Sequence, residues 1–342
     1  MQRTTRSSLW FALSLALAPS FLACAQNEQP APAQPPAETP AVQPAATPQP
    51  AGEGVWLGPK FMPGNVSVFE QVSVAKGTQS FDDQTFPNDT TTILLMRVEC
   101  QSVDENGVAT VSMKYDRIAL SGDSMFLGQY SFDTDDPNIE TNSPEVAAIL
   151  ETVLQMKVTA TVGTDGKIQT LTGGEEIFNE MSQHDHLKAL VGPFGSDATK
   201  QTMESFWLIG DPAPARPVGS TWREVKVTPT WFGNLVVESD FTVSSADAEK
   251  AVVDLAVNLK AERIVKETNP DQDMSEILEF NWDSPLNTGQ INWDRARGEL
   301  LDRTSNVSFK MTVRQQPLFE GAQQTVITQQ DVVTTFKRIG MK

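Results

Sequence analysis

The chain has 342 residues, of which 39% are hydrophobic and 20% charged, and a formal net charge of -18 at pH 7. That length supports a sizeable core, in one large β unit or two smaller ones. The acidity argues against nucleic acid as a partner, because an acidic surface repels a phosphate backbone, and the spread of the acids marks them as a solvated surface.

Residues 1–25 read as an export signal. Arg3 and Arg6 make a positive start, Leu9 to Leu17 an apolar stretch too short to span a bilayer comfortably, and Pro19 to Ala25 a processing region. Two cleavages fit. Leu22-Ala23 before Cys24 has the form of a lipoprotein box, with Phe21 where that pattern prefers Leu; Cys24 would then carry lipid and anchor the protein to a membrane. Ala23-Cys24-Ala25 also fits ordinary A-x-A cleavage, which would leave a secreted protein. Either way the expected location is the cell envelope or beyond. Residues 26–54 are Pro, Ala, Gln and Glu with almost nothing large and apolar, so they cannot bury enough surface to fold. They read as an extended tether, reaching on the order of 80–90 Å at roughly 3 Å per residue.

The remaining chain, 55–342, has the period-two burial pattern of antiparallel β structure. Strand signals follow Pro63-Gly64-Asn65-Val66, with Val66 and Val68 and, after a slip, Val72 and Val74 recurring. Ala109, Val111, Met113 and Tyr115 fall on one face, and Thr110, Ser112, Lys114 and Asp116 on the other. The turn before them is Asp104 to Gly107, since Asn-Gly accepts positive φ cheaply. The same alternation returns at Val253, Leu255, Val257 and Leu259, against Asp254, Asn258 and Lys260. Strand starts, ribbons, aromatic-acid-proline runs and hairpins recur in one order near 150 residues apart. An internal duplication gives two similar halves, about 55–207 and 208–342; the competing reading is that antiparallel meanders resemble one another. Helical spacing is predicted over Pro144 to Leu154, over Gly174 to Val191, and from Ser196 or Asp197 to Trp207. The expected fold is mainly β: two related, curved antiparallel sheets, half-barrel-like, covered by a few helices.

Residues able to carry chemistry are sparse. The two histidines, His184 and His186, stand two apart on a helical pattern and point roughly 200° from each other, so they cannot grip one ion together. Asp133, Asp135 and Asp136, and similarly Asp271 and Asp273, offer carboxylates at close spacing, but lack the glycine and closing glutamate of an EF-hand; they are weak ion-site candidates. Cys100 lies in an apolar strand and reads as a small buried hydrophobe. No nucleophile elbow, Walker loop, dinucleotide fingerprint or H-E-x-x-H zinc motif is present, and no cofactor is implied. Paired carboxylates for glycoside hydrolysis can meet only in space, so sequence does not exclude them. Trp207, Trp222, Trp231, Trp282 and Trp293 suit a β core better than a ligand groove.

Pro63-Gly64-Asn65-Val66, the Asp104-to-Gly107 turn with Val108-Ala109-Thr110-Val111, Tyr115-Asp116-Arg117-Ile118, Phe132-Asp133-Thr134-Asp135, Gly163-Thr164-Asp165-Gly166-Lys167-Ile168 and Pro217-Val218-Gly219-Ser220-Thr221-Trp222 together resemble an uncharacterised bacterial family of exported β-rich domains (domain of unknown function family 6263). The resemblance spans roughly Leu57 to Arg338, with Phe132 and Thr134 standing in a run that is Tyr-Asp-Ser-like in the family. It implies a fold and hands over no catalytic residue. The expected shape is also similar to envelope lipoprotein carriers whose half-open sheet holds acyl chains under helices, an analogy of architecture alone. The resulting expectation is a non-enzymatic envelope protein, lipid-anchored, taking a hydrophobic small molecule between sheet and helices. The alternative is a structural or protein-interaction module with a filled core, and behind it a hydrolase using paired carboxylates.

Overall fold

The computed structural model describes residues 54–81, 84–124, 128–136, 144–174, 194–210, 215–230, 233–262, 277–315 and 324–341. The export signal, the tether, the predicted helix over 174–191 and both histidines lie outside the described residues, Gly54 and Gly174 excepted.

Thirteen strands form one antiparallel sheet: β1 (Val66–Phe81), β2 (Gln84–Val103), β3 (Ala109–Ser124), β4 (Gly128–Asp133), β5 (Lys157–Val162), β6 (Ile168–Thr172), β7 (Thr221–Thr230), β8 (Gly233–Ala246), β9 (Lys250–Glu262), β10 (Ile277–Asp283), β11 (Asn287–Asp294), β12 (Glu299–Gln315) and β13 (Gln324–Met341). Two described helices, α1 (Pro144–Gln155) and α2 (Ser196–Glu204), complete it. The mainly β class holds, but the two expected sheets are one. The strand order is β6-β5-β3-β2-β1-β13-β12-β11-β9-β8-β7, with β4 on β3 and β10 on β12. β1 pairs with β13 along nearly its whole length, which welds the beginning of the folded chain to its end. The order β1-β2-β3-β5-β6 in the first part is matched by β7-β8-β9-β11-β12 in the second.

Local sequence explains the ribbon of β2 and β3. Gly107 takes φ +79 in the turn, and Asp104 Oδ1 accepts from the amides of Asn106 (2.9 Å) and Val108 (2.8 Å). Ala109, Val111, Met113 and Tyr115 are buried as the alternation predicts, and Ser112 is buried as well. Strict alternation would next turn Arg117 inward. Instead the pairing skips Asp116, with Leu95 opposite Arg117 but Met96 opposite Tyr115. This bulge sends Arg117 outward and brings Ile118 and Leu120 inside. In β9, Val253, Leu255, Val257 and Leu259 are all buried.

β1 runs against its apparent pattern. Its buried positions are Ser67, Phe69, Gln71, Ser73, Ala75 and Gln79, while Val66, Val68, Val72 and Val74 occupy the outer, half-exposed face. In place of the expected slip, the alternation of β1 runs unbroken through Glu70, and the register shift beside Val68 and Phe69 is taken up by β13 at Ile339. The reason is tertiary: β1 is central, and its inner face meets the interior that β13 and β2 also line.

The sheet is rolled. Laid flat, the eleven strands of the main path would separate its edges by about 48 Å at 4.8 Å per spacing. Yet residues 204–210, which reach at most about 25 Å fully extended, touch both edges and the centre. Glu204 Oε1 accepts the β6 amide of Ile168 (2.8 Å), the Phe206 ring stacks on Phe69 of β1 at 4.4 Å, and the Phe206 carbonyl accepts Leu300 N of β12 (2.7 Å). Gly210 packs so closely on Trp222 of β7 that a β-carbon there would lie 2.7 Å from the indole nitrogen. The segment from Phe194 to Gly210, including α2, therefore plugs one end of a half-barrel whose edges β6 and β7 do not pair. α2 begins at Ser196 with Gly195 as its cap residue and no side-chain cap bond, rather than with a capping Ser196 or Asp197. α1 lays Leu150 and Val153 into the core beside β3.

Candidate functional site

The register defines a grid of side chains on the inner face of the four central strands. One row crosses the sheet as Leu120, Thr92, Ser73, Thr334, Ser305, Gly289, Leu255, Phe241 and Trp222, each opposite the next. Its flanks are apolar and its centre is hydroxyl and glycine. Ser73 Oγ and Thr334 Oγ1 share a hydrogen bond of 3.1 Å. Further from the plug come Thr90, Ala75, Val332 and Val307. Next are Gly77, Gln330 and Phe309, with Asn88 opposite Gly77 by continuation of the register. Then follow Phe86, Gln79, Thr328 and Met311, and beyond them Phe81, Val326 and Val313.

These polar side chains are buried. Gln330, Thr328 and Ser305 are each 1% exposed, Asn88 2% and Gln79 3%. Several of their atoms have no hydrogen-bond partner in the protein: both ends of the Gln330 amide, Thr328 Oγ1, Ser305 Oγ, Gln79 Nε2 and Asn88 Nδ2. Thr90 differs, because Tyr130 from β4 reaches over to its hydroxyl at 2.9 Å. A buried, unpaired polar group costs about 1–3 kcal/mol. Five such side chains together approach the stability of a whole domain, which makes this face the place where the described residues leave most hydrogen-bonding capacity unused. From the Ser73–Thr334 row outward, the inner-face positions of these strands hold no charged residue. This buried face can donate and accept hydrogen bonds, and the titratable side chain that reaches it, Tyr130, has its phenol pushed up by burial. Residue-by-residue reading missed it because its polar residues come from four strands, and the valines of β1 drew attention to the opposite face.

A second polar cluster sits at the plugged end. Arg338 donates to Asp294 Oδ2 (2.7 Å) and to Glu299, which also accepts from Arg297 Nε (2.7 Å) and Ser67 Oγ (3.0 Å). Burial pushes the Asp294 carboxyl up, but the Arg338 hydrogen bond, with the amides of Arg297 and Ala296, holds it below the usual carboxylate value. Both carboxylates share one guanidinium, so they are clamps joining the β11–β12 turn to β13, not a free acid–base pair. Gly298 in that turn takes φ +63, and backbone of Gly58 and Lys60 passes so close that no side chain would fit. The adjoining pocket, lined by Phe61, Ser67, Cys100, Trp207 and Glu299 among others, measures about 40 Å³. That is little more than one water, against roughly 300–1,000 Å³ for typical ligand sites. Glu204, by contrast, is buried, its carboxyl raised by desolvation despite the Ile168 amide and the nearby cations Lys200, Lys226 and Lys167.

The residues singled out in sequence are scattered. Asp133 is held by Arg117 in a two-pronged ion pair (2.9 and 2.5 Å), and its Oδ1 also accepts the Asp135 amide. The Arg117 hydrogen bond is the main cause of its lowered pKa. Asp135 lies 3.5 Å from the same guanidinium, and Asp136 closes the turn through its amide to the Asp133 carbonyl (3.2 Å). Among the described residues no group of three or more His, Cys, Asp or Glu side chains is disposed to hold a metal ion. Cys100 is buried in β2, its thiol pushed up by desolvation. Trp207 and Trp293 are core, while Trp222 and Trp282 stack on Phe241 and Phe309. Cys24, Asp271, Asp273 and Trp231 lie outside the described residues.

Fold and site together define a single-sheet, rolled antiparallel β protein with a plugged end and an uncharged polar interior. A family of unknown function (DUF6263) matches residues 106–298, more than half of the chain, and the protein belongs to that family. No curated protein matches the chain. The match runs from the β2–β3 turn to the β11–β12 turn, so the strands β1 and β13 and the residues Gln79, Asn88, Ser305, Thr328 and Gln330 lie outside it.

Proposed function

We propose that the protein is a non-enzymatic binding protein of the cell envelope, exported and anchored through lipid on Cys24, whose ligand lies against the inner face of the rolled sheet. One observation carries the reading: the Gln330 amide, 1% exposed, has neither its oxygen nor its nitrogen paired within the protein, and Gln79, Asn88, Ser305 and Thr328 each hold one unpaired atom. A face kept only for stability would be expected to be apolar or internally paired. The ligand expected here is less hydrophobic than an acyl chain alone, since the inner face is mixed rather than purely apolar. The Pro- and Ala-rich stretch over 26–54 supports the anchor, as a spacer lets a tethered domain reach its partner.

The alternative, a structural or protein-interaction module, draws on the outer face. Val72, Val74 and Ile93 lie side by side there with Val333, which is exposed. The readings separate by native mass spectrometry of the full chain purified without detergent. A bound mass that is lost on unfolding and refolding, together with a fall in Tm, supports the binding protein. A bare mass with the same Tm before and after refolding overturns it. Intact mass of the mature chain tests the anchor, because acylated Cys24 and a Gln26 terminus differ plainly.

A further inference from the structure

We infer that Gln79, Thr328, Gln330 and Asn88 form a head-group subsite for a neutral, hydroxyl- or amide-bearing amphiphile, whose apolar part lies along Phe309, Met311 and the Val313–Val326 row. This rests on the binding function proposed above and specifies its ligand. Gln79 stands directly opposite Thr328, and Gln330 follows two residues further along the same face of β13. The unpaired atoms comprise donors, the three amide nitrogens, an acceptor, the Gln330 oxygen, and the Thr328 hydroxyl, which can do either. A partner for that set must itself both donate and accept, as a polyol or an amide does and a hydrocarbon does not.

The head is neutral because its surroundings are. The inner-face positions near Gln330 hold only Ser, Thr, Asn, Gln, Gly and apolar residues. The nearest inner-face cation on these strands, Arg303, lies on the Phe336 row, six residues and about 20 Å from Gln330 along β13. A phosphate or carboxylate brought to Gln330 would lose its hydration without gaining a counter-charge. The apolar part follows from the register. Gln330 is opposite Phe309, Thr328 is opposite Met311, and Val326 is opposite Val313, so β12 supplies an apolar strip beside each polar residue. Phe309 is itself stacked on Trp282 at 5.1 Å, which fixes the strip's position.

The test uses the full chain and two probes with eight-carbon chains, octyl glucoside below its micellar concentration and octanoate at pH 7, measured by calorimetry. Octyl glucoside should bind at least tenfold more tightly than octanoate, a difference of about 1.4 kcal/mol. The double variant Thr328→Val, Gln330→Met should weaken octyl glucoside at least tenfold and leave octanoate unchanged. The same variant without ligand should have a higher Tm than the wild type, because it removes buried polar atoms that have no protein partner. Equal binding of both probes, unaffected by the variant, overturns the head-group assignment and leaves the binding function standing. Failure of both probes to bind overturns both. A variant less stable than the wild type shows that these side chains are structurally paired and sinks the subsite; Ser305→Ala, one strand away, gives the same readout should the double variant not fold.

Discussion

Replacing Phe206 with Ala should cost the protein about 3–5 kcal/mol, the range for truncating a buried phenylalanine. Phe206 is 1% exposed and meets three aromatic neighbours: Phe69 stacked at 4.4 Å, Phe336 edge-on at 5.6 Å and Trp207 at 6.2 Å. Those rings stand on β1, β13 and the plug, so the cavity would open where the two ends of the folded chain meet. Surrounding strands are held by their own ladders and cannot collapse into it, which places the loss in the upper part of the range. Urea unfolding followed by tryptophan fluorescence would measure it, and at about 2–4 °C per kcal/mol for a large domain the fall in Tm is about 6–20 °C. Leu286→Ala, 69% exposed, is the control and should change stability by less than about 0.5 kcal/mol. A double-mutant cycle with Phe69→Ala should return a coupling of about 0.5–1.5 kcal/mol for the stacked pair. A Phe206→Ala loss below about 1 kcal/mol would refute the plugged half-barrel, since the ring could not then be filling the space between sheet and segment.

Four further outcomes are expected. The raised carboxyl of Glu204 means that ionising it opposes folding, so its contribution is greatest below the ordinary glutamate value of 4.5 and is lost as pH rises through the folded value; Tm measured from pH 4 to 8 should fall less steeply in Glu204→Gln than in the wild type. Asp133 and Asp294, whose carboxyls are lowered, act in the opposite sense: their stabilisation is present above the ordinary aspartate value and disappears in stronger acid, and Arg117→Leu should blunt acid unfolding monitored below pH 4. Arg338→Leu strips a shared partner from Asp294 and Glu299 and should destabilise by about 3 kcal/mol in urea unfolding, clearly more than Arg223→Leu in an exposed pair. Gly107→Ala, at φ +79 and with Thr164 Cγ2 2.9 Å from the new carbon, should cost about 1–2 kcal/mol by the same measurement.

The candidate site was the least legible part. Asp133, Asp135 and Asp136 drew attention as a cluster in sequence, but Arg117 turns outward at the Asp116 bulge and takes the Asp133 carboxylate. A bulge adds one residue to one strand, and nothing in local alternation announces it. The polar residues that matter structurally are spread over 79–330, and the hydrogen bond between Ser73 and Thr334 spans 261 positions. Each of these side chains looks like ordinary surface polarity in its own strand until the pairing partner turns it inside.

Sequence alone determined what depends on near neighbours. The Asn-Gly turn at Gly107, the inward faces of β3 and β9 and the helix from Pro144 all rest on backbone sterics or on an element's own short period. Tertiary structure decided what depends on distant partners: that two expected sheets are one, that β1 turns its valines outward, and that a plug holds the rolled sheet. Those outcomes follow from which strand lies beside which, and a chain's local pattern carries the burial of a face but not the identity of the surface that buries it.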